Sequence, residues 1–273
     1  MNFIITGNTD IGLTKSTNQD SLSMKVISTP QGRMVLAVLC DGMGGLAKGE
    51  VASASVIRAF DEWARTRLPM LCNAPLEEYV IRDEWNAIIQ SQNRCIQAYG
   101  AQLGIKLGTT VTAMLITQTR YYILNVGDSR AYELYGGIRQ LTKDQTVVAR
   151  EVAMGLITEE QAHYDERRSI LLQCVGASAE VYPDMFYGDT QVNAVYMLCC
   201  DGFRHEITPD EMYQYLQPDV LFDENGMSQN SQYLIEVNKQ RQERDNITVA
   251  LVRTFYVRRR SYARDWLACR WKI

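Results

Sequence analysis

Five aspartates stand where apolar runs of this chain begin or end. Asp41 follows Met34-Val-Leu-Ala-Val-Leu-Cys40 and opens Asp41-Gly42-Met43-Gly44-Gly45. Asp201-Gly202 closes a second apolar run, residues 194–200, in the same order of apolar strand, cysteine, aspartate and glycine. Asp128 follows residues 121–126 through Gly127, Asp245-Asn246 immediately precedes residues 247–252, and Asp20 stands just before residues 21–28. Singly, each is explained as a turn former or helix cap, Asp-Gly being among the commonest turn dipeptides. Together they could bring five carboxylates to one edge of a sheet stack. Like charges at close range push each other's pKa up, and a divalent cation resolves that repulsion. The chain has only two histidines and no metal-spaced cysteines. The ligands are therefore hard oxygens, which suit Mg²⁺ or Mn²⁺ rather than Zn²⁺.

The elements that must position these acids follow from hydrophobic period. Residues 34–40 are all apolar, too few for a membrane span and suited to a strand buried on both faces. Strands are also expected over 2–6, 21–28, 109–116, 121–126, 194–200 and 247–252, with a hairpin of 131–135 and 138–141 across Gly136-Gly137. Helical spacing predicts a helix over 49–66. It predicts a longer one over 77–103, with Ile81, Trp85, Ile88, Cys95, Tyr99 and Leu103 on its covered face. Thr158-Glu-Glu-Gln161 reads as a capping box, and Thr208-Pro-Asp-Glu211 opens a helix with Thr as N-cap and Pro first. Residues 218–230 read as a loop and 231–241 as helical. Strands, two long helices, strands again, then a helix and a closing strand are not a β-α-β alternation. The order suggests antiparallel sheets faced by helices in one domain.

The 273 residues, 46% apolar and 22% charged, suit a soluble globular protein with a substantial core. No signal peptide and no run approaching the ~20 residues of a spanning helix is visible. Seven scattered cysteines, several of them in apolar runs, fit a reduced, cytoplasmic setting. Residues 254–273 carry six Arg/Lys against Asp265, a balance of +5 that leaves −9 on the rest of a chain of net charge −4. A basic tail on an acidic body fits either a partner contact or a helix lying back on its own domain. Tyr262, Trp266 and Leu267 fall on one face of an amphipathic helix, so packing on the body is the expectation.

Asp10-Ile-Gly12 with Asn18-Gln19-Asp20, Cys40-Asp-Gly-Met-Gly-Gly45, Gly108-Thr-Thr110, Val126-Gly-Asp-Ser-Arg130, Cys200-Asp-Gly202 and Asp245-Asn-Ile-Thr248 occur in the order and approximate spacing of a known family. The chain resembles the bacterial metal-dependent protein phosphatases of type 2C over about residues 3–253. The resemblance implies an α+β fold, a four-layer α-β-β-α sandwich of two antiparallel sheets flanked by helices. It also implies one phosphatase domain over 1–253, a flap subdomain at about 143–180, and 254–273 as a basic extension. The implied activity is hydrolysis of phosphoserine and phosphothreonine in proteins by a metal-bridged hydroxide, without a covalent intermediate. Two Mn²⁺ or Mg²⁺ ions are implied, with a third ion near Asp128. Asp41 would bridge two ions and the Gly42 carbonyl would serve one. Asp201 and Asp245 would hold the other, and Asp20 would act in the outer part of the site. The partners implied are phosphorylated proteins, substrates of a bacterial Ser/Thr kinase, met by a monomer with no nucleic acid.

Two positions depart from the family pattern. Lys15 stands where the family has an arginine that clamps the substrate phosphate, so the charge remains and the planar fork is lost. Gln19 replaces a glutamate. Arg204 could compensate for Lys15 or pair with a flap acid. His205 could shuttle a proton, although a solvent-facing or N-cap-supporting histidine is the simpler expectation. The departures also suggest an alternative, a weakly active relative serving as a phosphoprotein-binding regulatory module. No Cys-x₅-Arg loop and no G-x-x-x-x-G-K-[ST] loop exists to support other phosphatase or nucleotide chemistry.

Overall fold

The computed structural model describes residues 1–43 and 48–256. The helix expected around Tyr262, Trp266 and Leu267 lies outside them, as do Gly44 and Gly45. The strands are β1 (Asn2–Asp10), β2 (Ser21–Thr29), β3 (Gly32–Cys40), β4 (Val111–Ile116), β5 (Arg120–Val126), β6 (Arg130–Leu134), β7 (Ile138–Gln140), β8 (Asp184–Asp189), β9 (Val195–Cys199) and β10 (Ile247–Phe255). The helices are α1 (Gly49–Thr66), α2 (Leu68–Leu71), α3 (Glu78–Leu103), α4 (Val147–Ala153), α5 (Glu159–Tyr164), α6 (Asp201–Arg204), α7 (Pro209–Leu216) and α8 (Glu224–Gln240).

Two five-stranded sheets form, in the orders β1-β10-β9-β6-β7 and β2-β3-β4-β5-β8, and every pairing is antiparallel. β3 shows why the architecture is layered. Its side chains alternate, so Val35, Ala37 and Leu39 join the core shared with the other sheet. Met34, Leu36, Val38 and Cys40 meet α1 and α3 on the opposite face. An unbroken apolar run is what burial on both faces demands. On the helical side, Trp85 of α3 packs edge-on against Phe60 and Trp63 of α1, with ring centroids 5.6 and 5.7 Å apart. On the far side, Met227, Leu234 and Ile235 of α8 pack into the core of the β1-containing sheet. The result is the expected α-β-β-α sandwich. Among the described residues no helix is long and apolar enough to cross a membrane.

Three local expectations change. The buried face of α3 runs Ile81, Trp85, Ile89, Asn93, Ile96 and Gly100, while Cys95, Tyr99 and Leu103 are exposed. Asn93 hides the stripe because it is polar yet buried. Its Oδ1 accepts from the Gly176 amide at 2.7 Å and its Nδ2 donates to the Ser178 carbonyl at 3.1 Å. Residues 218–230 are not all loop. α8 begins at Glu224, capped by Asp223, whose Oδ1 accepts from the Gly226 amide at 2.7 Å. The Asn225-Gly226 pair there imitates a turn in sequence. Edge strand β8 has no counterpart in the sequence reading, because its short Met-Phe-Tyr-Gly core lies only half-buried on one neighbour.

Candidate metal centre

The five aspartates meet. Asp41 lies one residue past β3, Asp20 one residue before β2, Asp128 in the turn joining β5 to β6, Asp201 at the start of α6 after β9, and Asp245 two residues before β10. Burial, and after it the charges of Asp20, Asp201, Asp128 and Asp245, push the Asp41 carboxyl well above the ordinary carboxylate range. Burial lifts Asp20 to about 7, against the pull of a hydrogen bond from Thr248. Asp128 also reaches about 7 through burial and the Asp201 charge, with Arg204 pulling the other way. Asp201 goes in the opposite direction. Burial would raise it, but the cations His205 and Arg204 hold it below its usual range.

Backbone contacts fix the carboxylates' anchors. The Asp41 amide donates to Thr110 Oγ1 at 3.0 Å, and its carbonyl accepts from the Thr110 amide at 2.8 Å and from Thr109 Oγ1 at 2.9 Å. Gly42 sits where a Cβ would lie 2.5 Å from the Gln19 carbonyl oxygen and 2.6 Å from Gly49, so only glycine fits between the 11–20 loop and α1. Asn246 ties that loop down. Its Nδ2 donates to the Ile11 carbonyl at 2.9 Å, and its Oδ1 accepts from the Gln19 amide at 2.9 Å. Thr248 Oγ1 donates to Asp20 Oδ2 at 2.5 Å.

Two oxygens remain without partners. Asp20 Oδ1 and Asp201 Oδ1 are buried with no hydrogen bond, and the Asp41 carboxyl lies within hydrogen-bond reach of Asp201. An orphaned buried carboxylate oxygen is costly unless a proton or a cation satisfies it. The donor set is all oxygen, which fits Mg²⁺ or Mn²⁺. Cys200 Sγ comes within 4.8 Å of ligand atoms of Asp20 and Asp41, but burial drives its pKa well up. That thiol stays neutral and is occupied, accepting from the Thr248 amide at 3.1 Å and donating to the Asn246 carbonyl at 3.4 Å.

The cations are arranged differently from expectation in two cases. Lys15 Nζ lies 2.7 Å from Asp245 Oδ1. Burial works against its charge, but the Asp245 contact outweighs that and raises the ammonium above its ordinary value. Of the two roles open to Arg204, the structure has the pairing with an acid, Asp144, of the 143–180 segment. Its Nη2 donates to the Asp128 carbonyl at 3.0 Å and lies 3.5 Å from Asp144 Oδ2. Arg130 holds the same Asp144 carboxylate with two hydrogen bonds, 2.8 and 2.7 Å long. His205 is neither solvent-facing nor a cap support: its side chain is 13% exposed, between Asp201 and Glu243. Gln19 places its amide 3.4 Å from Glu50 Oε2.

Thr109, Asn246, Thr248 and Glu243 join the centre without having been marked as candidates by residue type alone. The first three lie in the Gly108-Thr-Thr110 and Asp245-Asn-Ile-Thr248 segments, a usable signal in the sequence. Glu243, in the polar run Lys239-Gln-Arg-Gln-Glu243, offered none. Gly202 is a sharper test of the geometry. A Cβ there would lie 2.2 Å from the Asn246 carbonyl oxygen, a backbone atom with little freedom to yield. Gly202→Ala is expected to cost about 1–3 kcal/mol and to weaken Mn²⁺ binding by moving Asp201. Thermal melts and a Mn²⁺ titration check this, and unchanged values in both would refute the close packing.

Residues 13–229 match the family model described as protein phosphatase 2C. That span includes Lys15, Asp20, Asp41, Asp128 and Asp201, while Asp245 lies beyond it. The chain is 33% identical over 221 residues to the serine/threonine phosphatase Stp of Listeria welshimeri, covering 80% of this chain and 83% of that protein. The solved serine/threonine phosphatase of S. agalactiae superposes with a TM-score of 0.79 at 30% identity, over 93% of this chain and all of that one. The catalytic domain of the serine/threonine protein phosphatase PstP, solved in complex with 2 manganese ions, superposes with a TM-score of 0.74 at 27% identity, over 93% and 100% of the two chains. A family match across most of the length joins the fold and the gathered aspartates in one conclusion: this chain belongs to the protein phosphatase 2C family.

Proposed function

We propose that this chain is a metal-dependent protein serine/threonine phosphatase that hydrolyses phosphoserine and phosphothreonine without a covalent enzyme intermediate. The observation that carries the reading is the set of five mutually repelling aspartates with two orphaned buried oxygens. In this reading Asp41 and the Gly42 carbonyl would hold metal together with Asp201 and Asp245, Asp20 would order the outer part of the site, and Asp128 would hold a further ion. Bound Mn²⁺ or Mg²⁺ would supply a water acidic enough to attack phosphorus at neutral pH and would neutralise charge on the phosphoryl oxygens.

The chain's own residues do the rest. Thr109 and Thr110 fix the Asp41 backbone, and Asn246 holds the 11–20 loop that carries Lys15 and Asp20. Lys15, which holds Asp245 at 2.7 Å, would become the cation offered to the substrate phosphate once Asp245 binds an ion, as a point charge rather than a fork. A cleft of about 710 Å³ meets the centre at Arg204 and His205 and is lined also by Asp144, Val148, Arg150 and Arg168. Its mixed apolar, basic and acidic lining suits the peptide flanking a phosphorylated residue, so the phosphoprotein would lie between flap and metal centre. A binding module would carry the cost of five crowded acids without use for them, which disfavours the regulatory alternative. The test is turnover of p-nitrophenyl phosphate and a phosphothreonine peptide by metal-stripped protein with and without Mn²⁺. Hydrolysis that appears only with the ion is expected. No turnover with either Mn²⁺ or Mg²⁺ would sink the proposal.

A further inference from the structure

His205 and Glu243 connect two acids that are far apart in the chain. His205 Nε2 lies 3.5 Å from Asp201 Oδ2, and its Nδ1 lies 3.1 Å from Glu243 Oε2. The second oxygen of Glu243, Oε1, accepts from the backbone amides of Arg244 at 2.6 Å and Asp245 at 2.8 Å. Glu243 is 6% exposed. One buried carboxylate therefore holds the imidazole with one oxygen and the turn bearing Asp245 with the other. The backbone is shaped for this. Gln242, two residues past the end of α8 and just before Glu243, adopts a left-handed φ of 70°. Asn238 of α8 donates to the Phe203 carbonyl of α6 at 2.9 Å, fixing the two helix ends together.

We propose that His205 and Glu243 are positioning residues of the metal centre, setting the Asp201 carboxylate and the Asp245 turn in one fixed relation. This rests on the reading of Asp201 and Asp245 as ligands of one ion. A carboxylate's terminal torsion is broad and nearly two-fold, so nothing intrinsic orients Asp201. With Oδ2 facing His205, Oδ1 is the buried oxygen of Asp201 left without a hydrogen bond. Partners of this kind, one step behind a ligand, typically change metal affinity by about 10–100-fold when removed. A merely structural His–Glu pair would behave differently, since its loss would lower stability and leave the ion's affinity alone.

The test is Mn²⁺ calorimetry and metal-free melting on the full chain carrying His205→Gln, Glu243→Ala, Glu243→Gln or both His205→Gln and Glu243→Gln. His205→Gln and Glu243→Ala are expected to weaken Mn²⁺ binding about 10–100-fold. Glu243→Gln keeps an oxygen for the Arg244 and Asp245 amides and should lose less than Glu243→Ala. The double variant should lose no more than its worse single member, because both belong to one bridge. Mn²⁺ affinity within twofold of the parent in His205→Gln and Glu243→Gln overturns the proposal, whatever happens to melting. If Glu243→Ala does not fold, those two variants decide it. Asp201→Asn is the control: if it leaves Mn²⁺ binding intact, the ligand reading has failed, and if it alone abolishes binding, only the bridge has.

Discussion

Asp41→Asn should lower Mn²⁺-dependent kcat/KM by roughly 10³-fold or more while raising the melting temperature of the metal-free protein. The first effect follows from losing the carboxylate at the centre of the cluster. Metal stabilisation of transition-state charge is worth several kcal/mol, and each 1.4 kcal/mol is about tenfold. The second follows from electrostatics in the absence of ions. The Asp41 carboxyl is driven well up by burial and by four neighbouring acids, so its charged form is a liability that only a cation relieves. An amide keeps the shape and removes the repulsion, and it can donate to Asp201. The backbone clamps from Thr109 and Thr110 do not involve the side chain and should persist. A substitution in the core, such as one at Trp85, would lower stability and activity together. Melting in chelator and turnover in Mn²⁺ separate the cases. Retained turnover within tenfold, or a metal-free melting point below the parent's, would contradict this account.

Much of the centre could be read from the chain because strand ends are loud in sequence. Residues 34–40 and 194–200 are apolar without interruption, so an aspartate directly after each is marked as the point where a buried strand emerges. Asp20, Asp128 and Asp245 were visible for the same reason at weaker strands. What could not be read depends on packing between distant segments. Glu243 looks like any solvated acid until Gln242 takes a left-handed φ and α8 docks on α6. Asn93 breaks the stripe of α3 because its partners, at Gly176 and Ser178, lie more than 80 residues away. The Lys15–Asp245 contact joins residues 15 and 245 across the β1–β10 pairing, which no local pattern announces.

The same crowding predicts how stability depends on pH and metal. Asp20 and Asp128 have folded pKa values near 7 against an ordinary 3.8, and Asp41 lies above the ordinary value too. Between pH 4 and 7 the folded state therefore binds more protons than the unfolded chain, and stability falls as pH rises through that window. His205, also raised by Glu243 and Asp201 despite burial, adds stability lost in the same direction. Acids whose pKa is depressed by partners, such as Glu211 at about 2 beside Arg241, act the opposite way, but their contribution is lost below pH 4. A net shift of one pKa unit is about 1.4 kcal/mol, or about 2–3 °C in melting temperature for a protein of this size. Metal-free protein should thus melt several degrees lower at pH 8 than at pH 5. Mn²⁺ at 100 times its pH 8 Kd adds about 2.7 kcal/mol at that pH, and the same concentration should cause a smaller rise at pH 5, where protons compete for the carboxylates. Calorimetry in chelator and in Mn²⁺ at both pH values reads this directly. An equal metal-induced rise at pH 5 and pH 8 would mean that the aspartates are charged throughout and that the repulsion argument fails.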